Sequence, residues 1–345
     1  MNHLLVRAFG PDEWDELAAH FTRRPKVMEA SVPERWRYLI ERNPHATTHR
    51  PGRLWLALWG EALVGWICGV PASITNGVHT LSAIWGIDLH VRPEVRTRGI
   101  GRALLSHWRD QADVALGLGI TEKALRLEKG LGWLHRPLRA RYLLPLTSKG
   151  MLFAALARHG APPMRRPRRS REGAALKVST VAPRLPEDWD ARVMNPRSWH
   201  VRRDPDYIRW RFGPLFFPHP IFLWIGSEDA PEALAVGRRD RTSRRDKLWI
   251  YELSTPNDQV MPSFVDLLID WADGEGIDVI EGRFTDPRVI EWIRAAGFIR
   301  GRRVEHWIVH AHAERASGWD SRSLLEAPWS LTLTDSGNLD GEPPS

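Results

Sequence analysis

The sequence predicts an α/β protein of two similarly built domains, each a mixed, mostly antiparallel twisted sheet flanked by helices. Three observations lead to this fold class. The chain has 345 residues, which exceeds one average domain of about 150 residues. The first half combines amphipathic helical segments with apolar, β-rich runs. The second half repeats recognisable parts of that pattern.

Local signals define the elements of the first half. A helix is predicted over 11–21, and a second one over 33–42 because Pro33 suits a first helical position and Asn43-Pro44 ends it. Two apolar runs on either side of Gly60 predict a hairpin. The remaining elements are strands at 80–91 and 114–120, a helix beginning at Ile100, and a helix over 121–129.

The stretch Ile87–Trp108 combines a strand, a glycine turn and the start of a helix. The first amides of a helix have no partner within it and lie at the positive end of its dipole, so such a turn can bind an anion. Glycines allow a ligand to approach the backbone, and arginines add positive charge. The predicted cradle consists of Arg96, Thr97, Arg98, Gly99, Ile100, Gly101 and Arg102.

Two common phosphate motifs do not fit this turn. A dinucleotide fingerprint needs a third small residue, but Leu104 stands there. A GxxxxGK[ST] loop is absent from the chain. The pattern that remains is Arg-x-x-Gly-x-Gly from Arg96 to Gly101, preceded by Leu89, Val91, Pro93 and Glu94. An ordinary strand–turn–helix is the alternative interpretation.

This motif resembles the acyl-CoA pyrophosphate loop of the GNAT acetyltransferase superfamily, and Leu131-Gly132-Trp133 resembles the family's closing strand. The resemblance implies that acetyl-CoA or another acyl-CoA is the co-substrate, with no metal. It also implies that the strands before and after the loop helix splay apart around the pantetheine arm. Backbone groups of Leu89 and Val91 would then bind that arm.

The catalytic residues are less well defined by the resemblance. Many members of the family use a Glu base at the position of Trp85, so we expect Asp88 to be the base, with His90 second. A structural acid at a strand end is an equal alternative for Asp88. The usual Tyr acid is missing from Thr121–Lys129, so water is an alternative for both proton transfers. The resemblance places Glu122 and Lys123 near the CoA arm.

The second half reads as a degenerate copy of the first. Residues 92–105 align without a gap on residues 255–268, where Pro262 and Phe264 replace Gly99 and Gly101. These replacements remove the phosphate cradle, so we expect no cofactor there. The predicted divisions are an acyltransferase domain at 1–146, a basic linker at 147–179, a GNAT-like domain at 180–312 and a polar tail at 313–345.

Composition and charge limit the cellular locations and the binding partners that we expect for this protein. The net charge of +7 suits polyanionic partners. No apolar run of about 20 residues and no signal peptide is present. The single Cys68 is typical of a reducing, cytoplasmic protein. The cluster at 162–171 reads as a solvated linker, so nucleic acid is an unlikely partner. The oligomeric state stays open beyond a pseudo-dimer within one chain.

Three functions are compatible with these residues. The leading one is an N-acyltransferase that moves an acyl group, acetyl first, from CoA to an amine of a small or nucleotide-linked acceptor, and an Arg-rich groove favours an anionic one. The alternatives are a Fem-like aminoacyltransferase that uses charged tRNA, and a non-catalytic CoA-binding or assembly module. The segment 327–336 resembles the ending of tandem GNAT proteins from bacterial surface-polysaccharide clusters.

Overall fold

The computed structural model describes residues 3–10, 13–22, 32–46, 53–156, 175–214, 217–242, 245–312 and 314–335. The basic cluster at 162–171 lies outside these residues, so its interpretation as a linker stays a prediction. The chain divides into two compact units. Unit 1 comprises Met1–Ile74, Thr80–Arg136 and His306–Ala327, whereas unit 2 comprises Thr75–His79, Pro137–Glu305 and Pro328–Ser345. The domain boundaries predicted from the sequence, at 146, 179 and 312, do not coincide with the limits of these units. The domain division therefore stays a prediction.

The helices and strands follow the predicted order closely. The helices are α1 (Trp14–Thr22), α2 (Val32–Glu41), α3 (Ile100–Arg109), α4 (Glu122–Lys129), α5 (Ser148–Leu156), α6 (Trp189–Val193), α7 (Pro205–Arg211), α8 (Met261–Gly274), α9 (Pro287–Ala295) and α10 (Ser321–Glu326). The strands are β1 (Leu4–Ala8), β2 (Arg53–Trp59), β3 (Ala62–Thr75), β4 (Thr80–Val91), β5 (Val114–Leu118), β6 (Leu134–Leu138), β7 (Arg141–Pro145), β8 (Lys177–Ser179), β9 (His200–Val201), β10 (Ile221–Gly226), β11 (Pro231–Arg241), β12 (Asp246–Ser254), β13 (Val279–Arg283), β14 (Ile299–Arg300) and β15 (Glu305–Ala311).

Unit 1 is built on a sheet with the strand order β1, β2, β3, β4, β5, β15, β6. Strands β1 to β2 and β2 to β3 pair antiparallel. Strand β4 runs parallel to β5, but the two pair only where Ala83–Trp85 faces Val114–Leu116. The rest of β4 therefore diverges from β5, as expected for a splayed central pair. This mixed, mostly antiparallel sheet with flanking helices confirms the predicted fold class.

Unit 2 has a second sheet with the strand order β8, β10, β11, β12, β13, β7, β14. Its two parallel strands, β12 and β13, again pair over a short stretch, from Lys247 to Ile250 on β12. Read from β8, the first two strand pairs are antiparallel, as in the first sheet, and the parallel pair takes the same place in the strand order. The two sheets are therefore alike in topology.

The two sheets exchange one strand each. β7 follows β6 in the chain, yet it pairs with β13 in unit 2. β15 follows β14, yet it pairs with β5 in unit 1. The sequence pattern assigns 141–145 to the first domain and 304–310 to the second, and the structure places both strands in the other sheet. Each sheet therefore depends on a strand from the distant part of the chain.

Residues 328–335, which the sequence analysis assigned to a polar tail, are part of unit 2. Thr285 N–H donates to the Leu331 carbonyl (3.1 Å), and Thr334 Oγ1 donates to the Tyr251 carbonyl (2.8 Å). Thr332 forms an antiparallel bridge with Phe284. Because Tyr251 lies on β12 and Phe284 follows β13, this segment spans the gap between the two diverging strands.

A buried ionic cluster anchors the same segment. The Arg203 guanidinium donates to Glu252 (3.1 Å) and to Asp335 (2.7 Å). All three side chains are almost fully buried. Burial raises the pKa of Glu252, and the positive charge of Arg203 opposes that shift. The two carboxylates neutralise a cation that would otherwise be buried alone, which is strongly unfavourable.

Candidate functional site

The predicted strand–turn–helix forms in unit 1 as expected. β4 ends at Val91, and Pro93–Arg98 forms a 3-10 turn whose residues are not buried. Gly99 then adopts a left-handed backbone (φ 76°) and begins α3. A Cβ at Gly99 would meet nothing within 4 Å, so this glycine is needed for its backbone conformation rather than for space.

The first turn of α3 has the properties of an anion site. Gly99 provides no side-chain cap, and the amide of Ala103 makes the first intrahelical bond, to the Gly99 carbonyl (3.0 Å). The amides of Ile100, Gly101 and Arg102 therefore have no acceptor within the helix. They lie at the positive end of the helix dipole, where a phosphate binds favourably.

Gly101 has a packing role in addition. A Cβ on this residue would lie 3.1 Å from Leu127 Cδ2 and 3.7 Å from Val91 Cγ2. The glycine therefore lets α4 pack closely on the start of α3. The sequence suggested only that a ligand must approach the backbone here, and the structure adds this second reason.

The arginines around the turn are partly engaged. Arg96 Nε donates to the Val91 carbonyl (3.0 Å), which closes the turn. The Arg98 guanidinium lies 4.9 Å from the centroid of the Trp59 ring. Thr97 and Arg102 are exposed. The turn thus presents a positive surface next to the uncapped amides.

Leu89 and Val91 lie on the diverging part of β4. Both side chains pack against the core of unit 1. Neither residue is among those of β4 that pair with β5. Their backbone therefore borders the gap, which is where the resemblance requires it.

Asp88 holds helix α2 against β4. Its Oδ2 accepts hydrogen bonds from Arg35 Nη2 (2.6 Å) and from Trp36 Nε1 (2.7 Å). Asp88 also has a left-handed backbone (φ 54°), which is unfavourable for a residue other than glycine. In a regular strand, alternation would put Asp88 and His90 on one face, but this alternation does not carry across a left-handed residue. This geometry favours a positioning role for Asp88.

His90 has the surroundings of a neutral base. Its ring stacks on Trp66, with 4.3 Å between centroids and 14° between planes. Burial lowers the pKa of His90, and the charges of Arg96 and Arg92 lower it further. A neutral imidazole has a free nitrogen lone pair at pH 7. Of the two predicted catalytic residues, His90 therefore retains the better basic group.

Two other predicted positions have clear structural environments. Trp85, which stands where the family has a Glu base, is buried and lies 5.7 Å from the Trp307 ring. Glu122 pairs through Oε1 with His306 Nε2 (2.8 Å), at the start of α4.

One acidic residue of unit 1 escaped the sequence analysis. Glu128, on α4, is only 3% exposed, and burial raises its pKa to about 8. Its Oε2 has no hydrogen-bond partner in the described part of the chain. The available signal was its spacing, because Glu128 follows Leu125 by three residues and so shares the inward face of the helix.

In unit 2, helix α8 corresponds to α3 of unit 1 but begins differently. Val260 precedes α8 in a right-handed conformation, Pro262 contributes no amide, and Phe264 is buried. A pocket beside the ends of β12 and β13 is lined by Glu252, Ser254 and the segment around Leu331. The segment around Leu331 thus fills much of the gap between β12 and β13.

The fold and the glycine turn of unit 1 are similar to those of GNAT-type acyltransferase domains. Residues 14–126 match the model of the acetyltransferase (GNAT) family. This match covers the uncapped start of α3 and ends in α4, before the exchanged strands. No curated protein matches the chain.

Solved structures with the same fold span most of the chain. A GCN5-related N-acetyltransferase from Anabaena variabilis is 13% identical, with a TM-score of 0.60, covering 90% of this chain and 73% of its own. A probable N-acyltransferase from Enterococcus faecalis is 12% identical, with a TM-score of 0.61 and coverages of 95% and 75%. A GCN5-related N-acetyltransferase from Kribbella flavida is 14% identical, with a TM-score of 0.56 and coverages of 92% and 73%. At these identities the likeness concerns the fold.

Proposed function

We propose that this protein is an N-acyltransferase that moves an acyl group, acetyl first, from acyl-CoA to the amine of a small acceptor. The observation that carries the proposal is the uncapped first turn of α3 at the end of a strand that diverges from its parallel neighbour. The family match at 14–126 supports acyl transfer as the class of activity.

The residues of unit 1 take separate roles in this proposal. The amides of Ile100, Gly101 and Arg102 bind the diphosphate, with the charges of Arg98 and Arg102 beside them. Backbone groups of Leu89 and Val91 bind the pantetheine arm, and Arg96, Thr97 and Gly99 maintain the turn. When bound, CoA supplies the activated acyl group. Much of the rate enhancement then comes from holding the amine next to the thioester.

His90 serves in this proposal as the base that accepts the amine proton, and Asp88 holds α2 beside it. Unit 2 takes no cofactor, which is supported by the chain segment spanning its gap. The excess of arginine supports an anionic acceptor. The proposal includes a cytoplasmic location. It also includes a resemblance of the segment 327–336 to the ending of tandem GNAT proteins from surface-polysaccharide clusters. In the described residues, no helix is both long and apolar enough to cross a bilayer.

A non-catalytic CoA-binding module is the second candidate. Trp85 in place of a Glu base, and the two donors on the Asp88 carboxylate, favour it. An aminoacyltransferase that uses charged tRNA is the third candidate function. The glycine turn disfavours this function because the turn suits the diphosphate of CoA.

The test compares thermal stabilisation by acetyl-CoA, by CoA and by charged tRNA. A ligand that binds only the native state raises the melting temperature. The matched variants are Gly101→Ala, which adds a Cβ and keeps the amide, and Gly101→Pro, which also removes the amide. Proline is compatible with the first turn of a helix, as Pro262 in α8 illustrates.

We expect acetyl-CoA to stabilise the wild type and Gly101→Ala, and Gly101→Pro to lose most of that effect. Release of free thiol in the presence of amines then separates a transferase from a binding module. Stabilisation by charged tRNA alone would favour the aminoacyltransferase. Equal responses of the two variants would contradict a role for the Gly101 amide.

A further inference from the structure

Glu128 is a buried acid without an evident structural task. It lies on the inward face of α4 together with Leu125, whereas Arg126 and Lys129 on the same helix are exposed. Its Oε2 is inaccessible to solvent and has no hydrogen-bond partner in the described ranges. A buried polar group usually has a partner, so this carboxyl group calls for a functional explanation.

Helix α4 follows the strand that borders the splayed part of the sheet. The pairing of β4 with β5 stops at Trp85 and Leu116, and α4 begins at Glu122, soon after β5 ends. From Thr121 to Glu128 the helix rises about 10 Å, which equals about three residues of a strand. A helix that runs back along β5 over this length brings Glu128 near the level at which the pairing stops.

A contact of the neighbouring residue places this part of α4 beside the start of α3. Leu127 lies 3.1 Å from the position of a Cβ on Gly101, at the uncapped turn of α3. Glu128 is therefore next to a residue that touches the predicted diphosphate site. It is also on the side of α4 that faces the core of unit 1.

The carboxyl group of Glu128 is neutral at pH 7. Burial raises its pKa to about 8, and no neighbouring charge contributes to that shift. Arg109, a cation at the end of α3, donates to the Leu131 carbonyl (3.4 Å). On the adjacent strand, His310 lies behind the Trp133 ring, 5.5 Å from its centroid. Glu128 therefore keeps its proton in a dry environment.

We propose that Glu128 is the general acid of the acyl transfer, giving its proton to the sulfur of CoA as the carbon–sulfur bond breaks. This inference rests on the function proposed above. The amine nitrogen forms the new carbon–nitrogen bond and loses a proton to His90. The sulfur leaves with the electron pair of the broken bond and takes the Glu128 proton. The Glu128 carboxylate then regains a proton from solvent, so protons and electrons balance.

The test varies the leaving group. Glu128→Gln keeps size and polarity but has no acidic proton, and Glu61→Gln is the matched control on an exposed hairpin turn. Both are compared with the wild type using acetyl-CoA and its selenium analogue, with polyamines, amino sugars and amino acids as acceptors. A selenol is more acidic than a thiol, so its anion leaves without protonation.

We expect Glu128→Gln to release thiol from acetyl-CoA about 100-fold or more slowly, the usual contribution of a general acid. With the selenium analogue the loss should be much smaller, and Glu61→Gln should match the wild type with both. Wild-type turnover of acetyl-CoA should also fall above about pH 8, and turnover of the analogue should not. That comparison needs no variant.

A readout independent of turnover is the infrared band of a protonated carboxyl group at pH 7, present in the wild type and missing in Glu128→Gln. Equal losses with both leaving groups, an unchanged rate, or absence of this band would overturn the role of Glu128 while acetyl-CoA still binds. Failure of the wild type to bind acetyl-CoA would instead overturn the proposed function, and this inference with it.

Discussion

Replacing Glu128 by Gln should change how the stability of the protein depends on pH. In the folded chain, Glu128 keeps its proton up to about pH 8, whereas its ordinary pKa is 4.5. Between these values the unfolded chain has released a proton that the folded chain still holds. Stability is therefore complete below the unfolded pKa, falls as pH rises toward the folded pKa, and levels off above it.

The size of the effect follows from the same two values. Each pH unit between them lowers the free energy of unfolding by about 1.4 kcal/mol. Over the whole interval the loss amounts to about 5 kcal/mol, comparable with the net stability of a small domain. Glu128→Gln has no proton to release, so this part of the slope should vanish. Relative to the wild type, the variant should gain stability progressively from pH 5 to pH 8.

Urea unfolding at pH 5, 6, 7 and 8, followed by tryptophan fluorescence, measures this difference. Subtracting the wild-type curve from the variant curve removes all groups that titrate equally in both. Glu61→Gln, at an exposed position, should give a curve parallel to the wild type. A Glu128→Gln curve that also runs parallel would refute the argument, because it would mean that the Glu128 carboxyl group is ionised or solvated in the folded protein.

Three further predictions concern other parts of the molecule. Glu252→Ala removes one of the two carboxylates that bind the buried Arg203 cation and should lower the free energy of unfolding by about 3 kcal/mol, the lower end of the range for a broken buried pair, whereas Glu232→Ala, on the exposed side of β11, should change it little. A fragment of residues 1–146 lacks β15 and should show no cooperative unfolding transition, and a cooperative one would contradict the strand exchange. His90→Gln should remove the acidic limb of the pH–rate profile, which in the wild type lies below pH 6.5 because the pKa of His90 is lowered.

Elements with local signals could be predicted from the sequence. Asp204 and Asp286 precede prolines, and both carboxylates accept amide hydrogen bonds at the starts of α7 and α9 (2.9 Å each). The glycine turn after β4 was also predictable, because only a few residues decide its backbone conformation. In each case, the energy that fixes the structure comes from residues close together in the chain.

The strand exchange could not be predicted, because nothing in β7 or β15 indicates which sheet it joins. Both strands are apolar and short, and either would continue the nearer sheet. The ion pair of Arg141, on β7, shows what decides which sheet this strand joins. Its guanidinium pairs with Glu281 on β13, which also binds Lys247 (2.7 Å). A carboxylate buried between two cations is a long-range interaction that local patterns do not contain.

The hydrogen-bond partners of Asp88 and the burial of Glu128 escaped prediction for a similar reason. An alternating strand pattern says nothing about a left-handed residue within it, and Arg35 and Trp36 precede Asp88 by more than fifty residues. Glutamate residues are usually exposed to solvent, and Glu128 is buried only because of the way α4 packs. The sequence thus predicted the glycine turn before α3 but not the surroundings of these two acids.

The parallel strands that diverge in each sheet pose the same physical problem. Where they part, backbone groups that would have paired with each other need other partners. In unit 2 the chain provides them, since Thr334 bonds to Tyr251 of β12 and Leu331 bonds to Thr285 beyond β13. The buried pair of Arg203 and Asp335 then holds this segment in place. In unit 1 we assign the same function to the pantetheine arm of acyl-CoA, whose amide groups can bond to both strands. Under the proposal that unit 2 is a degenerate copy, a segment of its own chain replaces the ligand's hydrogen bonds, and Pro262 and Phe264 can then occupy the positions that correspond to Gly99 and Gly101.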